Sequence, residues 1–170
     1  MKPETPPPAG PAELLAVLAG LGIPAPTVDH AAVFTVAEAK ALRGELPGAH
    51  TKSLFLRNKK GVMWLVVARE DRIIDLRRLG DQLGSGRLSF ASPERLQRHL
   101  GVIPGAVSPF AVINDRDRVV TVVLDADLRE EDPLNFHPLD NTMTTAISWD
   151  DLLRFLQAHD HPPAFVDFAA

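Results

Sequence analysis

His50-Thr-Lys-Ser-Leu-Phe-Leu-Arg-Asn-Lys-Lys-Gly-Val-Met-Trp-Leu-Val-Val-Ala68 holds two short apolar runs parted by four polar residues. Ser53–Arg57 and Val62–Ala68 have strand length, and Asn58-Lys59-Lys60-Gly61 has turn composition. The stretch predicts a β-hairpin. A hairpin places consecutive strands side by side and antiparallel, which a regular β-α-β alternation does not.

Outward from the hairpin, helices and short strands mix. On the N-terminal side, Pro11 suits a first helical position, Leu14, Leu15, Val17, Leu18 and Leu21 follow at helical spacing, and Gly22 closes the helix. Val33-Phe34 reads as extended. Thr35 and Glu38 have capping-box spacing, which predicts a helix over Val36–Arg43. On the C-terminal side, Asp75 caps a helix through Leu76, Leu79 and Leu83 that stops at Gly84. Arg87–Phe90 is a short strand, and Ser92-Pro93-Glu94 opens a helix ending at Gly101. Strands are expected at Phe110–Ile113, Arg118–Leu124, Leu134–Phe136, Thr142–Ile147 and Ala164–Phe168, with a Ser148-capped amphipathic helix before the last. The fold class is mixed α/β (α+β). The expected architecture is a curved, mostly antiparallel sheet or barrel with helices packed around it.

At 170 residues and 45% apolar, the chain can bury a real core. No apolar run approaches the roughly 18 residues of a membrane helix. Zero cysteines exclude a disulfide framework, a thiolate metal site and a cysteine nucleophile. Residues 1–10 read as a flexible Pro-rich leader, without the apolar core of a secretory signal, and 11–170 as one domain. A cytoplasmic protein is expected. The net charge of −4 is uneven: residues 51–100 hold 11 Lys and Arg against 5 Asp and Glu, residues 101–170 hold 4 against 12. A basic middle in an acidic chain suits a polyanion met over a limited patch, and equally an ordinary solvated face.

Three segments carry candidate chemistry. Lys52, at the mouth of an apolar strand, can hold a phosphate or carboxylate as a point charge, or simply end in solvent. The loop Gly101–Pro109 has two glycines, two prolines and small residues at Ala106 and Ser108. Its backbone N–H groups can face a carbonyl or phosphate oxygen, or the loop can be a plain connection. In Phe136-His137-Pro-Leu-Asp-Asn-Thr142, His137 can exchange a proton with a substrate or serve as a hydrogen-bonded structural residue. Ser108, His137 and Asp140 could be named as a triad, but no G-x-S-x-G context supports it. The pairs Asp115/Asp117, Asp125/Asp127 and His159/His161 are too loose to assign a metal, and no cofactor is assigned.

Four motifs in register resemble one family. They are His50–Gly61, Arg87-Leu-Ser-Phe-Ala-Ser-Pro-Glu-Arg-Leu96, Gly101-Val-Ile-Pro-Gly-Ala-Val-Ser-Pro-Phe110 and Asn135-Phe-His-Pro-Leu-Asp-Asn-Thr142, and the early Asp29-His-Ala-Ala-Val-Phe-Thr-Val36 fits too. They resemble the YbaK/prolyl-tRNA-synthetase-associated domain, most closely the free-standing prolyl-tRNA editing proteins of the ProXp-ala type, over about Leu14 to Phe168. Asp140 departs from the aliphatic residue usual before the family's Asn-Thr, and Ala31-Ala32 from its common proline pair.

The resemblance implies a YbaK-like fold and a metal-independent trans-editing deacylase that hydrolyses alanine from mischarged proline tRNA. The family's lysine carries over onto Lys52, its Gly-rich loop onto Gly105, Ala106, Val107 and Ser108, and a histidine onto His137. Asn141 and Thr142 are expected at the substrate. Lys59, Lys60, Arg77, Arg78 and Arg87 are expected to face the tRNA acceptor end. Prolyl-tRNA synthetase is the candidate protein partner, and the expected state is a monomer or homodimer. The alternatives are a deacylase for cysteine or serine, and an inactive tRNA- or synthetase-binding module. If the 105–108 loop is exposed, Ala106→Val should change activity and leave the melting temperature almost unmoved.

Overall fold

The computed structural model describes residues 7–31 and 46–168; the expected helix Val36–Arg43 and the extended Val33-Phe34 lie outside them. The order is α1 (Pro11–Gly20), β1 (Thr27–Asp29), β2 (Ala49–Arg57), β3 (Met63–Arg69), α2 (Leu76–Leu83), β4 (Ser89–Phe90), α3 (Pro93–Leu100), a 3₁₀ turn (Pro109–Asn114), β5 (Val120–Asp125), a second 3₁₀ turn (Ala126–Glu130), β6 (Leu134–Phe136), β7 (Met143–Ile147), α4 (Trp149–Ala158) and β8 (Ala164–Val166). The strands form one mixed sheet in the order β1-β7-β6-β2-β3-β5-β8, with β4 also on β2. The β1–β7, β7–β6, β2–β3 and β2–β4 pairs are antiparallel. The β2–β6, β3–β5 and β5–β8 pairs are parallel. The sheet is open, so the barrel alternative is corrected: its path ends on β1 and β8, which do not pair with each other.

Local signals place the helices. Asp75 accepts the N–H groups of Arg77 and Arg78, and Gly84 ends α2 in the left-handed region at φ 65°. Ser92 accepts the N–H of Arg95 and Ser148 that of Asp151. Each such cap satisfies an N–H that the helix cannot, worth about 1 kcal/mol.

The sheet is apolar on both faces, unequally. Phe55, Leu65, Val122, Leu134 and Phe136 belong to the large core with α1, α3 and α4. Leu56, Val66 and Val123, one residue out of phase, join Leu79 of α2 in a smaller cluster. The two-residue period of a strand sends alternate side chains to opposite faces.

Two further expectations are corrected. The first strand of the hairpin begins at Ala49, so Lys52 lies inside it and not at its mouth. The added residues are held from outside the hairpin: Ala49 N–H donates to Pro133 O at 2.9 Å, and Asn135 Nδ2 to Pro47 O and Ala49 O. Phe110–Ile113 is a 3₁₀ turn and not a strand. Pro109 opens it, and Phe110, Ala111 and Val112 are all buried, so no face alternates. Phe110 stands edge-on to Phe136 and Phe155, at 5.7 and 5.4 Å between centroids. The strand β1 has no counterpart in the sequence reading, because its Val28 and Asp29 are exposed; its partner β7 supplies the order, with Thr27 Oγ1 2.7 Å from Thr145 Oγ1.

Candidate active site

The site begins where two strands part. β2 and β6 pair over two rungs, Ala49 with Leu134 and His50 with Asn135. Two residues beyond the last rung come Lys52, within β2, and His137, directly after the end of β6. Alternation in β2 sends Lys52 to the face opposite the large core. Just before the split, Thr51 Oγ1 donates to Asn135 O at 2.7 Å.

His137 is half-buried, and its Nδ1 lies 2.8 Å from Met143 O. A carbonyl only accepts, so Nδ1 carries the hydrogen and Nε2 presents a lone pair. Burial lowers the His137 pKa below that of a free imidazole. The nearby His30 ring adds to the lowering, while the Met143 bond and Asp140 oppose it. At neutral pH the ring is an uncharged acceptor.

His30 is the residue that sequence reasoning leaves without chemistry, although the Asp29–Val36 motif contains it. Its ring centroid is 6.0 Å from that of His137. Nδ1 donates to Ala31 O at 2.8 Å, so Nε2 accepts from Thr144 Oγ1 at 2.8 Å. β1 and β7 bring these residues together across more than a hundred positions.

A tight turn follows His137. Leu139 N–H donates back to His137 O at 2.9 Å, and Leu139 sits at φ 68°, a region costing a branched residue about 1–2 kcal/mol. Its side chain packs on the large core, which offsets that cost. Asp140 Oδ1 accepts the Thr142 N–H at 2.7 Å and the Thr142 hydroxyl at 2.6 Å. These two bonds from Thr142 hold the Asp140 carboxyl below the usual carboxylate range. Thr142 is thereby committed to the turn. Asn141 is 6% exposed, and its Nδ2 has no partner among the described residues.

The Gly101–Pro109 loop meets this turn. Gly105 has φ 95°, and a Cβ added there would lie 3.7 Å from Asn141 Nδ2. Ala106 is 1% exposed and belongs to the large core, with Val107 packed on it. The Ala106 N–H is bonded to Ile103 O at 3.1 Å. Those of Gly105, Val107 and Ser108 have no acceptor among the described residues. Ser108 Oγ is buried and unpartnered. Ser108, His137 and Asp140 make no hydrogen bond with one another, so no triad forms.

Lys52 is half-buried, and its Nζ donates to Arg72 O. Arg72 is in turn fixed by Asp125, 3.2 Å from its Nε, and by Asp127. These bonds outweigh the burial that opposes its charge and raise the Arg72 pKa. Among the described residues, no group of three or more His, Cys, Asp or Glu is placed to hold a metal ion.

The two hairpin lysines do not lie at the split. Lys59 and Lys60 are exposed at the hairpin tip, about 20 Å along β2 from Lys52 at roughly 3.3 Å per residue. Asn58 Nδ2 bonds Ser85 O at 3.2 Å, which brings the segment carrying Arg87 beside that tip. Arg77 and Arg78 are exposed on the first turn of α2, the far end of that helix.

The chain is thus an open mixed-sheet domain whose Gly101–Pro109 loop meets the turn that follows His137. The sequence profile of the aminoacyl-tRNA editing domain matches residues 30–155. The prolyl-tRNA editing protein ProX of Acetoanaerobium sticklandii is 42% identical over 133 residues, covering 78% of this chain and 81% of that one. The prolyl-tRNA synthetase associated domain-containing protein 1 of Mus musculus is 39% identical over 162 residues, covering 92% and 95%. A crystal structure described as a candidate trans-editing enzyme for prolyl-tRNA synthetase superposes with a TM-score of 0.71 at 22% identity, covering 94% and 96%, and shares the fold. The chain belongs to the aminoacyl-tRNA editing domain family, the YbaK/prolyl-tRNA-synthetase-associated group.

Proposed function

We propose that this protein is a trans-editing deacylase that hydrolyses the ester of alanine mischarged onto proline tRNA. The observation that carries the reading is a loop whose N–H groups at Gly105, Val107 and Ser108 have no acceptor among the described residues, set against a turn that presents a neutral imidazole. An aminoacyl ester is already activated. Its hydrolysis needs a placed water and donors for the carbonyl oxygen, each donor worth about 3–4 kcal/mol where measured. Ser108 Oγ has no hydrogen-bond partner among the described residues, in keeping with attack by water.

In this mechanism the water oxygen bonds to the ester carbon, and the loop N–H groups hold the oxyanion. The C–O bond to the terminal ribose then breaks. The water's proton passes to the departing ribose oxygen, through the vicinal hydroxyl as the family resemblance implies. Alanine and free tRNA result, and the mechanism calls on no metal. Lys52 anchors the terminal adenosine by phosphate or sugar, and His137 Nε2 accepts a hydrogen bond from the substrate. The names of the relatives support proline tRNA as the carrier, with the synthetase as the upstream enzyme and candidate partner. A synthetase site that fits proline cannot exclude the smaller alanine by size, so a second, narrower site completes a double sieve.

The test is a panel of proline tRNAs charged with alanine, serine, cysteine and proline. Alanine should be released fastest and proline left intact. Serine or cysteine ahead of alanine would reassign the substrate. Tight tRNA binding with no release of any amino acid would make the protein a binding module.

A further inference from the structure

One group at the split does not suit a polyanion. Asp140 is half-buried beside His137 and ionised throughout the physiological range. Oδ1 is held by Thr142, while Oδ2 has no partner among the described residues. It lies near the His30 and His137 rings. A carboxylate fixed at the mouth of a nucleic-acid site repels phosphate, and it aids binding only if it meets a cation. A charged tRNA offers one beside its scissile ester, the α-ammonium of the amino acid. The neighbouring groups have the matching polarity. Among the described residues His137 Nε2 is a second acceptor without a partner, whereas Asn141 Nδ2 and the N–H groups of Gly105, Val107 and Ser108 are donors without one. Acceptors and donors are thus sorted along one turn and one loop, as an ammonium and an adjacent carbonyl require.

Resting on the deacylase reading above, we propose that Asp140 is the ammonium anchor: its free Oδ2 pairs with the α-ammonium of the aminoacyl ester, with His137 Nε2 taking a second N–H. Asn141 and the 105–108 loop then face the carbonyl. The left-handed Leu139, tied to the core, fixes the turn that presents the carboxylate. The anchor makes a free α-amino group a condition of cleavage. Esters whose nitrogen is acylated, peptidyl-tRNA among them, lose the ion pair and are spared. This is a specificity element beyond side-chain size.

The probe is lactyl-tRNA(Pro), which carries the same ester and methyl group with a hydroxyl in place of the ammonium. Single-turnover rates are measured on alanyl- and lactyl-tRNA(Pro) with wild type and Asp140→Asn. Asparagine keeps an oxygen for the Thr142 bonds, so the turn is retained. Wild type should prefer the alanyl ester by about ten- to a hundredfold, the scale of a charge-assisted hydrogen bond, and Asp140→Asn should reduce that ratio at least about tenfold. A wild type that cleaves both esters equally fast overturns the anchor without any variant. An unchanged ratio, or equal losses on both esters in the variant, overturns it as well. A wild type inactive on both esters instead removes the deacylase reading on which the inference rests.

Discussion

Ala106→Val tests whether the glycine loop is part of the core or a surface lid. Ala106 is 1% exposed and shares a cluster with Phe110, Phe136 and Leu134. Valine adds two methyl groups where the packing is closed. Such overpacking costs about 1–3 kcal/mol, because neighbours leave their rotamers or the backbone shifts. For a chain of this size each kcal/mol lowers the melting temperature by roughly 2–4 °C, so a fall of about 2–12 °C is expected. This reverses the expectation that goes with an exposed loop. The same shift moves the free N–H groups of Gly105 and Val107, and about 1 Å of misplacement can cost about a hundredfold in rate. The assays are differential scanning calorimetry and single-turnover deacylation of alanyl-tRNA(Pro). A variant with wild-type melting temperature and wild-type rate would refute both the packing argument and the loop's role.

Three further outcomes are expected. Lys52→Ala should lower the single-turnover rate at saturating tRNA, with arginine a poor substitute because its planar fork differs in reach; losing the bond to Arg72 O should also cost about 1–3 kcal/mol in denaturation. A folded Lys52→Ala protein that hydrolyses at the wild-type rate would remove Lys52 from the site. Lys59→Ala/Lys60→Ala should weaken tRNA binding and flatten the log–log salt dependence by about 0.7–0.9 per lost phosphate contact, read from binding isotherms at several salt concentrations. The lowered pKa of His137 keeps its Nε2 lone pair available down to and below about pH 6.5, so the rate should hold to that point and fall only in stronger acid. The unfolded chain takes up that proton more readily than the folded one. Stability should therefore decline as pH drops through about 6.5 and level off below the folded value, a component that His137→Gln removes in pH-dependent melting curves.

The helices α1, α2, α3 and α4 were legible because their signals are local. Pro11, Asp75, Ser92 and Ser148 each act within one turn of chain, and Gly84 and Gly101 stop their helices through their own backbone freedom. The β2–β3 hairpin was legible for the same reason, as its turn lies between its strands. Lys52, the 105–108 loop and His137 could be singled out by residue type and by their order along the chain. Their mutual placement could not. The start of β2 depends on Pro133 and Asn135, more than eighty residues away, and the pairing of His50 with Asn135 sets Lys52 and His137 equally far beyond the last β2–β6 rung. The split between β2 and β6, the burial of Ala106 and the meeting of His30 with His137 are all contacts between distant segments. Composition and periodicity carry no record of such contacts. Phe110–Ile113 makes the same point from the other side: four apolar residues read as a strand, and only packing against α3, α4 and Phe136 makes them a buried turn. Residue types and local punctuation determine which elements and which chemical groups this chain has, because those depend on short-range sterics and hydrogen bonds. Which groups face one another is decided by the tertiary structure, because the sheet register that joins them is set by burial across the whole molecule.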